Sequence, residues 1–170
     1  MKLCGALLIL LSSLAAALSL LGEERKKQRS LAALRQGLLT LRGAIAERQT
    51  PLPEAFRTLA GEAEDKTVRA FFTVLTRNME SLGERSFSAL WHDAAAESLG
   101  PLGGETAERL AALGGQLGGS ELERQCAALD KCAEELEGQL AQAAARRAER
   151  RRMTLGLSLS LGSFLIILLL

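Results

Sequence analysis

Residues that commonly carry out chemistry are few in this chain, and their spacing forms no recognised site. His92 is the only histidine, and a lone histidine beside Trp91 is more often a surface residue than a ligand or a base. Cys126 and Cys132 are six positions apart, which is about 240° around a helix, so they can neither form a local disulfide nor share a metal ion. We interpret both cysteines as small packing or surface residues in a reducing compartment, and we predict no metal site.

Two glycine pairs, Gly114-Gly115 and Gly118-Gly119, are the other candidates for chemistry, because glycine-rich loops can bind phosphates. The chain contains neither GxxxxGK[ST] nor GxGxxG after a strand. Both pairs lie among helical patterns, so we interpret them as helix breaks. No nucleophile and base can be paired either. The chain is therefore predicted to be non-catalytic, with no cofactor and no small-molecule substrate.

Both ends of the chain are long, apolar and uncharged. Residues 3–22 form a stretch of 20 residues and residues 153–170 one of 18. At ~1.5 Å per residue, such helices approach the ~30 Å thickness of the hydrocarbon layer. We predict transmembrane helices at residues 1–22 and 153–170, with a soluble domain of residues 23–152 between them. Cleavage of the first segment as a signal peptide is the alternative, and the basic cluster directly after it argues against cleavage.

Positive charge flanks each apolar stretch on the side of the middle domain. Residues 23–29 carry four basic and two acidic residues, and residues 146–152 carry five arginines and one glutamate. The positive-inside rule then places residues 23–152 in the cytoplasm and both termini outside. Residues 30–145 carry 11 basic and 17 acidic residues, a net charge of −6. This acidic balance argues against nucleic-acid binding.

The middle domain shows helical periodicity and no β-branched run of strand length. Six helices are predicted. The first continues from the first apolar stretch to about residue 48, and the last extends from about residue 121 into the second apolar stretch. The four between them are 52–63, 66–82, 86–100 and 105–117. The first and last carry heptad-like stripes, so we expect them to pack antiparallel as a stalk. The predicted fold class is all-α: an antiparallel bundle of about six helices, flanked by an N-terminal and a C-terminal transmembrane helix.

Turn residues and apolar stripes set the ends of these helices. Thr50 is predicted to cap the second helix, with Pro51 as its first residue. The apolar stripe of the third helix extends to Leu82, and that of the last helix begins at Leu122. Trp91 is interpreted as a core residue, with a partner-docking patch as the alternative.

Three stretches, in this order, resemble the stage III sporulation protein AB family of endospore-forming bacteria. They are LRQGLLTLRGAIAERQTPLPEAF at 34–56, LGGQLGGSELERQ at 113–125 and RRMTLGLSLSLGSFLIILLL at 151–170. The second is similar to the family's FGxxLGxSDxxxQ segment. Leu113 stands in place of the family's phenylalanine, and Glu121 in place of its aspartate.

The resemblance implies a membrane component of a complex that builds a channel between the mother cell and the forespore. The family's soluble domain is similar to the cytoplasmic domain of the inner-membrane platform proteins of type II secretion and type IV pilus machines, which lie beside a secretion ATPase. The implied partners are the ATPase of the same complex, other membrane components of the channel, and the bilayer of the mother-cell membrane around the forespore. The family supplies no catalytic residues to transfer.

A surface that binds the ATPase is expected on turns far from the membrane. The candidate partner-binding residues are Thr50, Pro51, Leu52, Pro53, Glu54, Leu117, Gly118, Ser120, Glu121 and Gln125. One alternative is a platform subunit of another secretion or pilus-like system, although the sequence shows no internal repeat. Another is a membrane-tethered scaffold that self-associates, because small residues four positions apart in the first apolar stretch allow close helix packing. Homo-oligomers are compatible with every interpretation.

Overall fold

Six α-helices account for most of the residues that the structure describes. The computed structural model describes the backbone of residues 2–118 and 121–169, and the side chains of residues 22–118 and 121–148. The helices are α1 (Lys2–Ala46), α2 (Leu52–Glu62), α3 (Lys66–Asn78), α4 (Phe87–Ser98), α5 (Gly104–Leu117) and α6 (Leu122–Leu169). Short 3-10 helices, Met79–Ser81 and Gly100–Leu102, precede and follow α4. No β-strand occurs among the described residues, so the predicted all-α class is confirmed.

The first and last helices pack against each other in opposite directions. Arg35 on α1 forms an ion pair with Glu137 on α6 at 2.8 Å, and Arg42 forms one with Asp130 at 3.3 Å. Seven residues forward along α1 therefore correspond to seven residues backward along α6. This is one heptad on each helix, and it confirms the predicted antiparallel stalk.

Leucines at heptad-like spacing form the apolar side of this stalk. Leu34, Leu38 and Leu41 of α1 are completely buried, as is Leu129 of α6. Burying one such side chain stabilises the fold by about 1.5–3 kcal/mol relative to leaving it in water. The sequence periodicity therefore identifies the buried face of both helices.

The remaining helices alternate in direction across the stalk. The Ser30 hydroxyl donates to the Asp65 carboxylate at 2.8 Å, which places the start of α3 beside residue 30 of α1. Asp65 also caps α3, accepting hydrogen bonds from the backbone N–H groups of Thr67 (2.9 Å) and Val68 (3.2 Å). Farther along, a Cβ atom on Gly37 of α1 would lie 3.0 Å from the Phe72 ring of α3, so the two helices are close there. Helices α1 and α3 therefore run in the same direction, with α2 returning between them.

The same alternation continues through α4, α5 and α6. Lys27 of α1 lies against Gly103, just before α5 begins. At the other end of α5, the Gln125 side-chain amide of α6 donates to the Leu117 carbonyl at 2.9 Å. The α1–α2, α3–α4 and α5–α6 turns consequently share one end of the bundle, which we call the distal end. The α2–α3 and α4–α5 turns lie at the other, proximal end.

One aromatic cluster fills the core between the stalk and the shorter helices. Every described aromatic side chain belongs to this cluster: Phe56, Phe71, Phe72, Phe87 and Trp91. Neighbouring ring centroids are 5.1 to 6.3 Å apart, a range typical of favourable aromatic pairs. Trp91 is fully buried, and its indole N–H donates to the Leu110 carbonyl at 2.6 Å. Trp91 is therefore a core residue, as predicted.

Glycines bring α5 close to α4. A Cβ atom on Gly114 would lie 2.6 Å from Cδ1 of Trp91, and one on Gly118 would lie 3.2 Å from Cδ1 of Phe87. The two glycines are four positions apart along the chain, as are the two aromatic residues that they face. Gly114 and Gly115 lie inside α5, so their interpretation as a helix break is wrong, whereas Gly118 directly follows the helix.

The predicted cap of α2 is also wrong. The helix begins at Leu52, with Pro51 at the N-cap position and no side-chain cap. Gln49 has a positive φ of 49°, and the Thr50 N–H donates back to the Ala44 carbonyl at 3.0 Å. Thr50 therefore helps to close α1 and is not positioned to open α2.

Two leucines predicted to face the core are exposed. Leu82 is 51% exposed and Leu122 is 45% exposed. Helix α3 ends at Asn78, and the chain turns through a 3-10 helix before Leu82, so the helical period no longer applies there. Leu122 is the first residue of α6, at the end of the bundle where fewer neighbours can cover it.

The predicted membrane spans lie largely beyond the described side chains. Residues 153–170 are entirely outside that part, and so are residues 3–21 of the first span. Among the described residues, no helix is long and apolar enough to cross a membrane.

Candidate partner-binding end of the bundle

The first candidate segment, residues 50–54, forms the turn into α2. Pro51, Pro53 and Glu54 are exposed, while Thr50 and Leu52 are half-buried. The Pro51 carbonyl accepts from the backbone N–H groups of Glu54 and, one residue later, Ala55, each at 3.0 Å. Proline at two of its positions and these hydrogen bonds fix the turn, so its exposed side chains are presented on a rigid backbone.

The second candidate segment, residues 117–125, joins α5 to α6, and part of it has a structural role. Leu117 is buried, and its carbonyl is capped by the half-buried Gln125. Gly118 and Glu121 are exposed, and Ser120 lies outside the described residues. Within this segment, Gly118 and Glu121 therefore remain as accessible candidates.

The structure brings the two segments to the same end. Arg42 and Asp130 form an ion pair. Thr50 follows Arg42 by eight positions, and Leu122 precedes Asp130 by eight positions. The antiparallel register therefore places residues 50–54 level with the start of α6. The sequence hypothesis of one surface built from both turns is compatible with this arrangement.

A third turn at this end was not predicted to take part. Residues 79–86 connect α3 to α4 and expose Leu82. Gly83 adopts a positive φ of 116°, a backbone conformation that favours glycine. A leucine followed by a glycine near the end of a helical pattern was the signal that could have identified this turn.

The distal end combines exposed apolar side chains with negative charge. Leu82 and Leu122 are the two large hydrophobic side chains exposed among the described residues. Six exposed carboxylates lie on the three turns and the adjoining helix ends: Glu47, Glu54, Glu80, Glu84, Glu121 and Glu123. The cations of this end include Arg85, paired with Asp93 at 2.6 Å, and Arg124, 4.0 Å from Glu121. Such a surface complements a partner with a basic, partly apolar face.

Side chains that could bind a metal ion or take part in a reaction are dispersed over the described part of the chain. There, no three His, Cys, Asp or Glu side chains are arranged to hold a metal ion. The His92 side chain is 65% exposed, with Nδ1 3.9 Å from the carboxylate of its neighbour Asp93. His92 is therefore a surface residue, as its sequence context predicted.

Cys132 is a buried free thiol on the face of α6 that packs into the bundle. Burial, and secondarily the negative charge of Glu135, raises the pKa of this thiol to about 11. The neutral thiol is the form that the folded protein favours. Its contribution to stability is complete below the unfolded pKa of about 9 and is lost as the pH rises toward 11.

Cys132 is expected to react slowly with thiol reagents. At pH 8, a pKa of about 11 leaves about 100-fold less thiolate than the model thiol value of 9.0 would give. Alkylation of the folded Cys4→Ser/Cys126→Ser variant should accelerate as the pH approaches 11, and it should be rapid at pH 8 after denaturation. Fast alkylation of the folded protein at pH 8 would contradict the buried position.

Comparison with known families gives one result. The family model described as stage III sporulation protein AB matches residues 2–170, which is nearly the whole chain. No curated protein and no solved structure matches the chain.

Proposed function

The chain belongs to the stage III sporulation protein AB family, and from this membership we propose that it is a membrane-anchored, non-catalytic part of a sporulation channel complex. The family makes it a sporulation-related protein. In our proposal it lies in the mother-cell membrane around the forespore, with residues 23–152 in the cytoplasm and both termini outside. Its distal end holds the ATPase of the same complex and positions it relative to the other membrane components.

The observation that carries this proposal is the convergence of three turns at the distal end. The up-and-down helix order gathers residues 46–52, residues 79–86, and residues 118 and 121 at the end farthest from the two apolar stretches. Leu82 and Leu122 are exposed there among six carboxylates. Exposed apolar side chains with a charged rim are typical of protein-binding surfaces.

Anchoring is proposed from the sequence of both ends and from the continuity of the stalk. Helix α1 extends over Lys2–Ala46 and α6 over Leu122–Leu169, so each stalk helix continues through an apolar stretch without a break. Such a helix pair would transmit force between the bilayer and the distal end as two paired rods. The basic clusters beside the apolar stretches favour the cytoplasmic side for the bundle.

Charge reversal at the distal end tests the binding surface. The variant Glu54→Lys/Glu121→Lys changes two exposed carboxylates on two of the three turns. Because like charges facing a basic partner repel it, we expect the affinity of the full-length protein for the ATPase to fall by about tenfold or more. Affinity is measured by titrating the ATPase onto detergent-purified, immobilised protein.

The matched control reverses the same charge at the opposite end. Glu62 and Glu64 are also exposed, and they lie at the proximal α2–α3 turn. The variant Glu62→Lys/Glu64→Lys should leave the affinity within about twofold of the wild-type value, since distant exposed charges are screened by salt. Equal affinities for both variants would place the binding surface elsewhere.

A further inference from the structure

A cleft at the proximal end has no role in the proposed ATPase contact. It has a volume of about 840 Å³ and lies between the start of the stalk on α1, the beginning of α5 and the later part of α6. Its cationic lining residues are Lys27, Arg109, Arg146 and Arg147. Its acidic lining residues are Glu24, Glu105 and Glu135.

Among the described residues, three of the cations in this cleft have no carboxylate as a partner. Arg109 forms an ion pair with Glu105 at 2.7 Å and approaches Glu135 at 3.9 Å, so this group of three carries a net charge of −1. Lys27, Arg146 and Arg147 form no salt bridge within the described residues. Glu24 is the one remaining carboxylate of the lining, so the four cations and three carboxylates together give the cleft a net charge of +1, with the cations without an ion pair on α1 and α6.

The position of Lys27 increases this positive charge. Its Nζ lies 2.8 Å from where a Cβ atom would be on Gly103, at the N-terminus of α5. That helix end has no side-chain cap, so its free N–H groups add the partial positive charge of a helix N-terminus. Glu105 in the first turn offsets part of this charge but is itself paired with Arg109, so the lysine ammonium beside this helix end favours a bound anion.

The distance of the cleft from the expected hydrocarbon layer indicates the class of anion. Lys27 follows the last residue of the first apolar stretch, Gly22, by five positions, and Arg146 precedes the second stretch by seven. At ~1.5 Å per residue these side chains begin about 8 to 10 Å from the hydrocarbon layer, just beyond a headgroup layer of about 5–7 Å, so their long chains can extend back to the lipid phosphates. Basic pockets at this height on the cytoplasmic side suit anionic headgroups.

We propose that this cleft binds the phosphate of an anionic lipid headgroup, with Lys27 and Arg146 or Arg147 as its principal cationic contacts. This inference rests on the membrane anchoring proposed above. The bound lipid would fix the stalk against the bilayer surface, at the end opposite the ATPase surface.

Native mass spectrometry of the detergent-purified full-length protein tests this site. The probes are phosphatidylglycerol and phosphatidylcholine with identical acyl chains, and inorganic phosphate in a separate titration. We expect one phosphatidylglycerol molecule to bind at least about tenfold more tightly than phosphatidylcholine, because near a membrane surface each cation contributes about fivefold to the binding of an anionic lipid. The variant Lys27→Gln/Arg146→Gln/Arg147→Gln should lose this preference.

The matched control removes three positive charges from the same part of α1, at positions outside the cleft. Arg25, Lys26 and Arg29 are exposed and do not line it, so Arg25→Gln/Lys26→Gln/Arg29→Gln should keep the preference for phosphatidylglycerol. Trp91 fluorescence confirms that each variant is folded. Should the triple cleft variant unfold, the single variants Lys27→Gln and Lys26→Gln give the same comparison.

Each outcome distinguishes a different failure. A cleft variant that keeps its lipid preference, or a control that loses it equally, would overturn the site. Inorganic phosphate binding as tightly as phosphatidylglycerol would identify a soluble phosphate as the ligand and overturn the lipid assignment. ATPase capture is measured on the wild type and on the same variants. A wild-type protein that captures the ATPase but shows no preference for phosphatidylglycerol would refute the lipid site and leave the proposed function standing.

Discussion

Replacing Gly114 by alanine is expected to destabilise the protein by about 1–3 kcal/mol, after the gain of about 1 kcal/mol in helix propensity is subtracted. The added Cβ atom would lie 2.6 to 2.7 Å from Cδ1, Cγ and Cβ of Trp91. These atoms belong to the base of the side chain, so a small rotation of its tip cannot relieve the overlap. Overpacking of a core costs about 1–3 kcal/mol, and displacement of the indole also weakens its hydrogen bond to Leu110, worth about 1 kcal/mol.

The neighbouring glycine provides the control for this substitution. A Cβ atom on Gly115 would meet only Ser88 Oγ, at 3.7 Å, which is an ordinary contact. Since alanine is a better helix former than glycine by about 1 kcal/mol, Gly115→Ala is expected to leave the protein equally stable or more stable. Urea unfolding followed by the fluorescence of Trp91, the only tryptophan, measures both variants. Equal loss of stability in both would contradict the close α4–α5 contact.

The second large effect is expected from removing Trp91 itself. The ring is completely buried, and its centroid is 5.1 Å from that of Phe71, 5.9 Å from that of Phe87 and 6.1 Å from that of Phe56. Trp91→Ala leaves a cavity at the point where α2, α3 and α4 meet. Such substitutions cost about 3–5 kcal/mol, a large share of the 5–15 kcal/mol that stabilises a typical domain.

Circular dichroism at increasing urea concentration measures this loss, since the variant lacks the fluorescent residue. The control is His92→Ala, which changes the next residue of the same helix. His92 is mainly exposed, so its replacement should alter the free energy of unfolding by less than about 0.5 kcal/mol. Comparable losses for the two variants would show that the aromatic cluster does not organise the bundle.

The stalk was predictable from sequence because periodic leucines determine which face of a long helix is buried. Leu34, Leu38 and Leu41 have the expected spacing and are completely buried. Periodicity also implied that the first and last helices pair, and the ion pair between Arg42 and Asp130 has the corresponding register. In a long helix the hydrophobic period is repeated many times, so a few residues that depart from it do not change the predicted buried face.

Helix ends and close contacts were less predictable. The backbone at Gln49 decides that Thr50 closes α1, and a positive φ at a glutamine has no reliable sequence signal. The fit of Gly114 against Trp91 depends on how α4 and α5 approach each other, which local sequence does not encode. Similarly, the bond between Ser30 and Asp65 joins residues 35 positions apart and requires the tertiary fold.

The candidate surface was partly predictable. Their expected distance from the membrane pointed to residues 50–54 and 117–125, and the fold brings both to the distal end. Leu117 and Gln125, however, hold the α5–α6 turn together, so a family motif can mark a structural requirement as well as a contact. The exposure of Leu82 depends on where α3 ends, and the apolar stripe extended past that point.

Capture of the ATPase by the full-length wild-type protein tests the central claim most directly. The detergent-purified protein is immobilised and incubated with the ATPase of the same sporulation complex, with and without nucleotide. Our account predicts stable, stoichiometric capture that weakens as the salt concentration rises, because the distal surface is acidic. Absence of capture under both conditions, with Trp91 fluorescence showing a folded bundle, would contradict the account and favour a scaffold that acts through its membrane helices.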